Sequence, residues 1–570
     1  YILLSLRNPA QSPAGGGKPS AIPEMQVSGR WESALTGRGR QRMETEVLPL
    51  FLAASRWFGG KTAIIRQAAL REVVPFPKED GVSFFALAEV AYTEGAPDLY
   101  GIPVSFAPAK KAEGKEEPRP EPSGHILAKL AAGAEAGFLY DAVDDPAFRA
   151  ALLSFIARRR RAKGSRGELQ ALRGEMFRKI LGDRALPLAS HRVKGEQTNT
   201  SIVYEDRFYF KLFRNIKEGT NPEEEVLEFL TEKAGFRNIA PFAGSLKYQE
   251  RGSEPVTLGI LLAYVPSEGD AWSYTQDTLG RYFERALSQV KEIPEVPKGP
   301  RSLLEVDPAD APPMLREWME GNYLEMTALL ARRTAELHLA LASSTDAGEF
   351  SPEPFSMLWQ RSVFQSMRVL MGRVWGELRS SLPRLPESVR KEAESVLAMD
   401  QKILAVLQKI TSRRLSGLRI RIHGDYHLGQ VLFTGKDFII IDFEGEPFRS
   451  ITERRLKLSP VRDLAGMVRS YHYAAYTALR RAASVRPEDT AILEPWAKLW
   501  YRNVSGVFLR AYIDRVGKEP ILPADREELQ MMLNAMIMEK AIYETGYELS
   551  HRPDWLSTPL RGIRDLLEGA

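Results

Sequence analysis

A chain of 570 residues is longer than one hydrophobic core supports, so two or more domains are expected. With 44% hydrophobic and 27% charged residues and a net charge of +4, the composition is that of a globular protein and gives no argument for nucleic acid. Zero cysteines exclude disulfides, thiolate metal sites and cysteine nucleophiles and fit a reducing cytoplasm, and no apolar run nears the ~18 residues of a membrane helix.

Residues 1–45 begin with Tyr1 rather than Met and pass from the strand-like YILLSLR into Pro/Gly/Ser-rich chemistry, which reads as the trailing edge of an upstream domain plus linker. Residues 46–170 follow as a subdomain of strand-like runs (SFFALAEVAY, LYGIPVSF, HILAKL) closed by a helix in DDPAFRAALLSFIARRRRAKG. The polar insert 107–124 inside it reads as a surface loop, and the basic run Arg158–Arg161 with Lys163 and Arg166 as a solvated helix end.

Residues 171–268 read as a β-rich small lobe. The small, polar turn KGEQTNTS can lay backbone N–H groups over phosphates, which makes Gly195, Gln197, Asn199 and Ser201 candidates for a nucleotide. A strand pair, SIVY and FYFKLF, follows it, with Lys211 in the otherwise apolar second strand. Lysine is rarely buried without a partner. In NPEEEVLEFLTE, Asn221 suits an N-cap and Pro222 the first helical position, and either Glu225 or Glu228 is expected to reach Lys211, with Glu225 preferred. The apolar strand in LGILLAYVPSEGDAW then leads to the next lobe, and backbone groups at Ala263–Val265 are expected at an adenine edge.

Residues 269–570 are dominated by amphipathic helical patterns such as YLEMTALLARRTAELHLALA and ELQMMLNAMIMEKAIYETGYEL. Among them lies one short hairpin, RIHGDYHLGQVLFTGKDFIIIDFEGEP, at 421–447. Asp425 precedes its first strand, Gln430 stands five residues on, and Asp442 ends its second strand. An aspartate to accept a hydroxyl proton, with an amide and a carboxylate to hold Mg²⁺, is the set that phosphoryl transfer from ATP requires. His423 is read as orienting the loop. A metal-hydrolase set of His423, Asp425 and His427 is the alternative. The expected fold class is α+β, a bilobal protein kinase-like order with an N-terminal subdomain, a β-rich small lobe and a mainly helical large lobe.

These segments, together with RWFGGK (56–61), FKLFRNIKEGTNPEEEV (210–226), ERRLKLSPVRDLAGMVRSYHYAA (453–475) and EKAIYETGYELSHRPDWLSTPLRGI (539–563), resemble the maltokinases fused to trehalose synthase. The resemblance implies that 46–170 is a cap, that ATP phosphorylates maltose at its anomeric hydroxyl for α-glucan (glycogen) building, and that trehalose synthase is a partner. Gln430 in place of the broader kinase pattern's Asn, and Glu444 in place of a glycine, leave the number of Mg²⁺ ions open. For the sugar it points to the large lobe: Lys540, Tyr543, Glu544 and Tyr547 at helical spacing, then Arg552 and Trp555, with Glu444 and Arg449 after Asp442. A kinase for an aminoglycoside-like acceptor, or an inactive scaffold, are the competing classes.

Overall fold

The computed structural model describes residues 22–61, 63–109, 125–193, 198–289, 296–297, 302–307, 312–319, 322–346, 348–447, 449–481 and 489–569. Two compact units divide them: residues up to Lys233 with Ala240–Pro266, and Ala234–Ile239 with the chain from Ser267 onward. The strand-like YILLSLR, the tip of the 107–124 insert, Gly195 and Gln197 lie outside the described residues.

The first unit is built on two seven-stranded sheets. One has the order β1 (Glu24–Val27), β5 (Ile126–Ala132), β6 (Glu135–Asp141), β4 (Asp98–Pro108), β3 (Gly81–Tyr92), β2 (Ile65–Lys78), with β12 (Asn215–Ile216) also pairing to β4. The other runs β7 (Arg161–Lys163), β8 (Gly167–Arg173), β13 (Phe242–Glu250), β14 (Val256–Ala263), β11 (Phe208–Phe213), β10 (Asn199–Tyr204), β9 (Ser190–Arg192). Helix α1 (Pro146–Ala157), capped by the Asp145 carboxylate accepting from Ala147 N–H, shares a core with both sheets, with Phe76, Phe148, Phe155, Ile202 and Phe210 all buried. Two boundaries differ from expectation. Residues 24–45 are no linker: β1 pairs in parallel with β5, and Met25, Leu35 and Met43 are buried against Phe51, Trp57 and Leu70. The strands β7 and β8, placed by sequence in the first subdomain, join the small-lobe sheet because β8 pairs with β13. Local Pro/Gly content hid the first difference, and the short loop after α1 hid the second.

Buried polar groups tie the sheets together. Arg214, at the end of β11, donates to Asp141 of β6 at 2.5 Å and to Thr200 of β10 at 2.8 Å, and both charged side chains are fully buried. Glu72 of β2 accepts the backbone N–H groups of Ser165, Arg166 and Gly167 and the Tyr248 hydroxyl.

The second unit is helical, as expected. Its frame is α3 (Ala271–Gln289), α4 (Asn322–Leu341), α5 (Met357–Ser381), α6 (Glu387–Leu397), α7 (Asp400–Gln408), α8 (Val461–Arg481), α9 (Thr490–Val516), α10 (Arg526–His551) and α11 (Ser557–Gly569). Inside it, β15 (Gly269–Asp270) pairs with β18 (Val431–Phe433), and β18 with β19 (Phe438–Ile440), while β16 (Glu353–Pro354) pairs with β17 (Leu418–Arg419). The hairpin register sets Val431 opposite Ile440 and Phe433 opposite Phe438. Asp437 fixes its turn to α4 through a two-pronged contact with the Arg333 guanidinium (2.9 and 2.8 Å). The strand that leads to Asp442 is therefore held at its start. Among the described residues no helix is long and apolar enough to cross a membrane.

Candidate active site

In the first unit, Lys211 stands directly across from Ser201 in the β10–β11 register, so both side chains share a face. The Lys211 ammonium lies 2.8 Å from the Glu223 carboxylate, and Glu223 is buried. The expectation named Glu225 or Glu228; the ion pair seen is with Glu223. Helix α2 (Pro222–Glu228) begins where predicted, with Asn221 accepting from Glu224 N–H. This ion pair uses the second helical residue, two before Glu225. Glu224 turns instead to Lys247 at 2.8 Å and the Thr257 hydroxyl at 2.6 Å. Burial, with Glu224 and Glu232 nearby, raises the Glu228 carboxyl. Ser201 shares a hydrogen bond with the Tyr209 hydroxyl, and Asn199 opens β10 opposite Phe213. The Ala263 N–H donates to Pro241 and that of Tyr264 to Arg207, each at 2.8 Å, so the expected adenine edge loses the Ala263 donor and keeps Val265 as its candidate.

In the second unit the loop that carries Asp425 is hung from one buried carboxylate. Asp463, on α8, accepts the backbone N–H groups of His423 (2.8 Å) and Gly424 (2.9 Å) and the His338 imidazole (3.0 Å). Gly424 turns the loop at φ +85°, where a side chain would be strained. The buried His423 ring uses both nitrogens on backbone: Nε2–H donates to the Ile441 carbonyl at 2.9 Å, and Nδ1 accepts from Asp425 N–H at 3.4 Å. That ring ties the start of the hairpin to its end, as the orienting role requires. It removes His423 from any metal-ligand set and with it the metal-hydrolase alternative. Burial lowers His427 to about 3, so this imidazole is neutral 3.9 Å from Asp425.

Asp425 sits at this mouth with a largely buried side chain. Burial alone would raise its carboxyl, but the Lys540 ammonium at 3.2 Å holds it below the usual range. Seventeen residues on, Asp442 adopts φ +67°, an uncommon backbone for a non-glycine residue. Gln430 donates its amide N–H to Asp442 Oδ2 at 2.7 Å, so the two expected metal ligands are in contact. A carboxylate and an amide oxygen are hard donors of the kind Mg²⁺ takes.

The expected sugar residues separate into two groups. Lys540 bridges Asp425 and Glu446 (3.1 Å) and lies 5.0 Å from the Tyr543 ring centre. Glu446 also takes Arg449 at 2.5 Å, and its carboxyl is held well below the ordinary value because Lys540, Arg462 and Arg449 outweigh burial. Arg454 donates to the carbonyls of Glu444, Pro447 and Arg449, which shapes the loop after Asp442. The second group lies further along α10. Glu544, expected at the sugar, is buried in a two-pronged pair with Arg469 at 2.7 and 2.9 Å. Arg552 is similarly clasped by Glu548 (2.6 and 3.0 Å), whose carboxyl burial raises to about 7. Tyr547 stacks on His551 at 4.4 Å, and Trp555 lies between the guanidiniums of Arg480 and Arg552 at 5.6 and 5.5 Å. Sequence reasoning missed Glu223, Glu446 and Asp463. All three stand inside quoted motifs, NPEEEV, FEGEP and VRDLAG, where only the fold reveals their partners.

Residues 51–145 match the family described as "Maltokinase N-terminal cap domain". A glucosamine kinase of Streptacidiphilus jiangxiensis is 22% identical over 388 residues, covering 67% of this chain and 75% of that protein. One of Mycolicibacterium smegmatis is 23% identical over 398 residues, covering 67% and 82%. The solved structure of a glucosamine kinase in complex with glucosamine, ADP and inorganic phosphate aligns at a TM-score of 0.57 and 17% identity, over 92% of this chain and 98% of that one. The chain thus carries a segment similar to the maltokinase N-terminal cap and shares its fold with a solved glucosamine kinase.

Proposed function

We propose that the chain phosphorylates maltose at its anomeric hydroxyl with ATP, giving maltose 1-phosphate. The observation that carries the reading is the 421–447 hairpin, with an ionised Asp425 at one mouth and the Asp442–Gln430 pair at the other. In this reaction the Asp425 carboxylate accepts the acceptor hydroxyl's proton as that oxygen bonds to the γ-phosphorus. The bond from phosphorus to the β,γ-bridging oxygen breaks, and ADP leaves. Asp442 and Gln430 would hold Mg²⁺, which when bound neutralises charge on the phosphate oxygens. Gln430 reaches this role by turning its amide over so that the oxygen replaces the N–H. Lys211, kept in place by Glu223, is the cation for the nucleotide phosphates, and Asn199, Ser201 and the turn before them supply polar groups to the same end.

Maltose is favoured over an amino sugar by the cap match and by charge. Asp425 faces Lys540, Glu446 faces Lys540 and Arg449, and Glu539 faces Arg462 at 2.7 Å. An acceptor ammonium would have to displace a cation already present. The glucosamine kinase relatives favour the second reading, an amino-sugar kinase. The trehalose synthase-fused type that the sequence resembles would place a maltose-forming isomerase before this reaction and α-glucan synthesis after it.

The test is ATP turnover over a panel of maltose, trehalose, glucose, glucosamine and an aminoglycoside, with the product's phosphate located by NMR. Maltose 1-phosphate as the main product is the expected result. Glucosamine turned over faster than maltose would transfer the assignment to the second reading.

A further inference from the structure

Behind the catalytic loop, the helical unit contains a cleft that none of the chemistry above uses. It is lined by His472, Tyr501, Asn534, Ile537, Asp565 and Leu566, among others, from α8, α9, α10 and α11, and holds about 510 Å³ of empty space counting its open mouth. Of its residues on α10, Asn534 points roughly 120° or more away around that helix from Glu539, Lys540 and Tyr543. On α8, His472 lies about two and a half turns from Asp463 and faces the opposite side. The cleft and the loop at Asp425 therefore use opposite faces of α8, and on α10 Asn534 lies away from Lys540 while Ile537 borders it.

Its wall carries unmet polar groups. His472 is fully buried, and neither ring nitrogen has a hydrogen-bond partner among the described residues. Burial lowers its pKa to about 4, so the neutral ring offers one donor and one acceptor. Asp565 Oδ2 is likewise buried without a partner, and at 3.9 Å it is too far from His472 Nε2 to bond it. Its other oxygen is neutralised by Lys498 at 2.7 Å, and Lys498 also reaches Glu568 at 3.2 Å. Buried donors and acceptors are almost always satisfied, so this wall calls for a molecule that both donates and accepts.

We propose that this cleft is a second ligand site and that its ligand is a small uncharged polyol, from glycerol to a monosaccharide in size. An anion would face the Asp565 oxygen that Lys498 does not take, and a cation would meet both Lys498 and Arg502. A pair of neighbouring hydroxyls suits both, one donating to Asp565 and the other exchanging a hydrogen bond with the imidazole. Tyr501, Ile537 and Leu566 supply apolar surface for the carbon skeleton. Because α8 and α10 also hold Asp463 and Lys540, occupancy of the cleft bears on the helices that position the catalytic loop.

The experiment is histidine-selective NMR on the whole chain, whose seven histidines permit assignment of the His472 ring by His472→Gln. Glycerol, glucose and maltose are titrated in turn without nucleotide, so the result stands apart from the sugar-kinase reading. A saturable shift of the His472 ring with glycerol or glucose is expected, weakened roughly tenfold or more by Asn534→Leu, which keeps the side chain's shape and removes its hydrogen-bonding groups from the cleft wall. Asp565→Asn, which keeps an acceptor, should retain the shift. A His472 ring unmoved by all three probes, leaving water as the only occupant, overturns the proposal, as does a shift that Asn534→Leu leaves unchanged.

Discussion

Helix α10 has two polar ends that look alike in sequence and behave differently in space. At Lys540 the side chain reaches outward from its helix to Asp425 and Glu446, both on the catalytic hairpin. Seven residues on, roughly 10 Å along the axis, Tyr547 is followed by a cluster that satisfies itself: Arg552 on Glu548, and Trp555 between two guanidiniums. Between them, Glu544 points into the core against Arg469. A polar helix face says which residues avoid the apolar core. It does not say which of them are free to meet a substrate.

The largest effect should fall on the hairpin that Lys540 touches. Asp425→Asn keeps the shape but loses the proton acceptor, and kcat should fall about 10²–10⁴-fold with ATP affinity nearly intact. Asp442→Ala should lose Mg²⁺-dependent ATP binding in addition to rate, because the ion it would hold serves bound nucleotide and transition state alike. Titration calorimetry separates the two, and unchanged Mg·ATP affinity in Asp442→Ala would remove it as a ligand. Glu544→Gln should behave oppositely. It strands the buried Arg469 and should cost about 3–5 kcal/mol in denaturant unfolding, while the KM values of folded enzyme stay put. A stable Glu544→Gln protein with a raised sugar KM would return Glu544 to the sugar site.

The sequence made the hairpin legible because its meaning lies in local spacing. Asp425, Gln430 and Asp442 keep their spacing wherever the hairpin is placed, and its register brings Gln430 and Asp442 into contact. Asn221 as N-cap was readable for the same reason. Partners across space were not. The charge run Glu223–Glu225 gives three candidates for one lysine, and the choice depends on where the helix leaves β12. Asp463 is one of many acids on helices until Gly424 and His423 fold onto it. Residues 24–45 misled because turn-forming composition describes the backbone, whereas Met25 and Leu35 are packed by strands a hundred residues away.

The self-satisfied end of α10 can still serve a two-ring acceptor. If the first ring sits at Asp425 and Lys540, a second lies near Tyr547 and Trp555, which a monosaccharide does not reach. Tyr547→Ala or Trp555→Ala should then raise the KM for maltose by roughly 5- to 150-fold and leave the KM for ATP unchanged. Glucose, if it is turned over, should be unaffected. Parental maltose kinetics in both variants, with normal melting, would assign the cluster to the fold and leave Lys540, Tyr543, Glu444 and Arg449 as the sugar candidates.

The subtlest test concerns the other end. The Asp425 carboxyl is held low because the Lys540 ammonium outweighs the effect of burial. The base is therefore ionised down to a lower pH than an unassisted buried aspartate would be. Lys540→Met removes the cation while keeping much of the side-chain volume, and Glu446 retains Arg449 and Arg462. The Asp425 pKa should then rise, and the acidic limb of the kcat/KM profile should move to higher pH, with the rate near neutrality changed least. Lys540→Arg should return the limb toward its original position. A purely structural Lys540 would lower kcat/KM equally at every pH. An acidic limb that stays in place in Lys540→Met would show that the ammonium does not set the ionisation of the base.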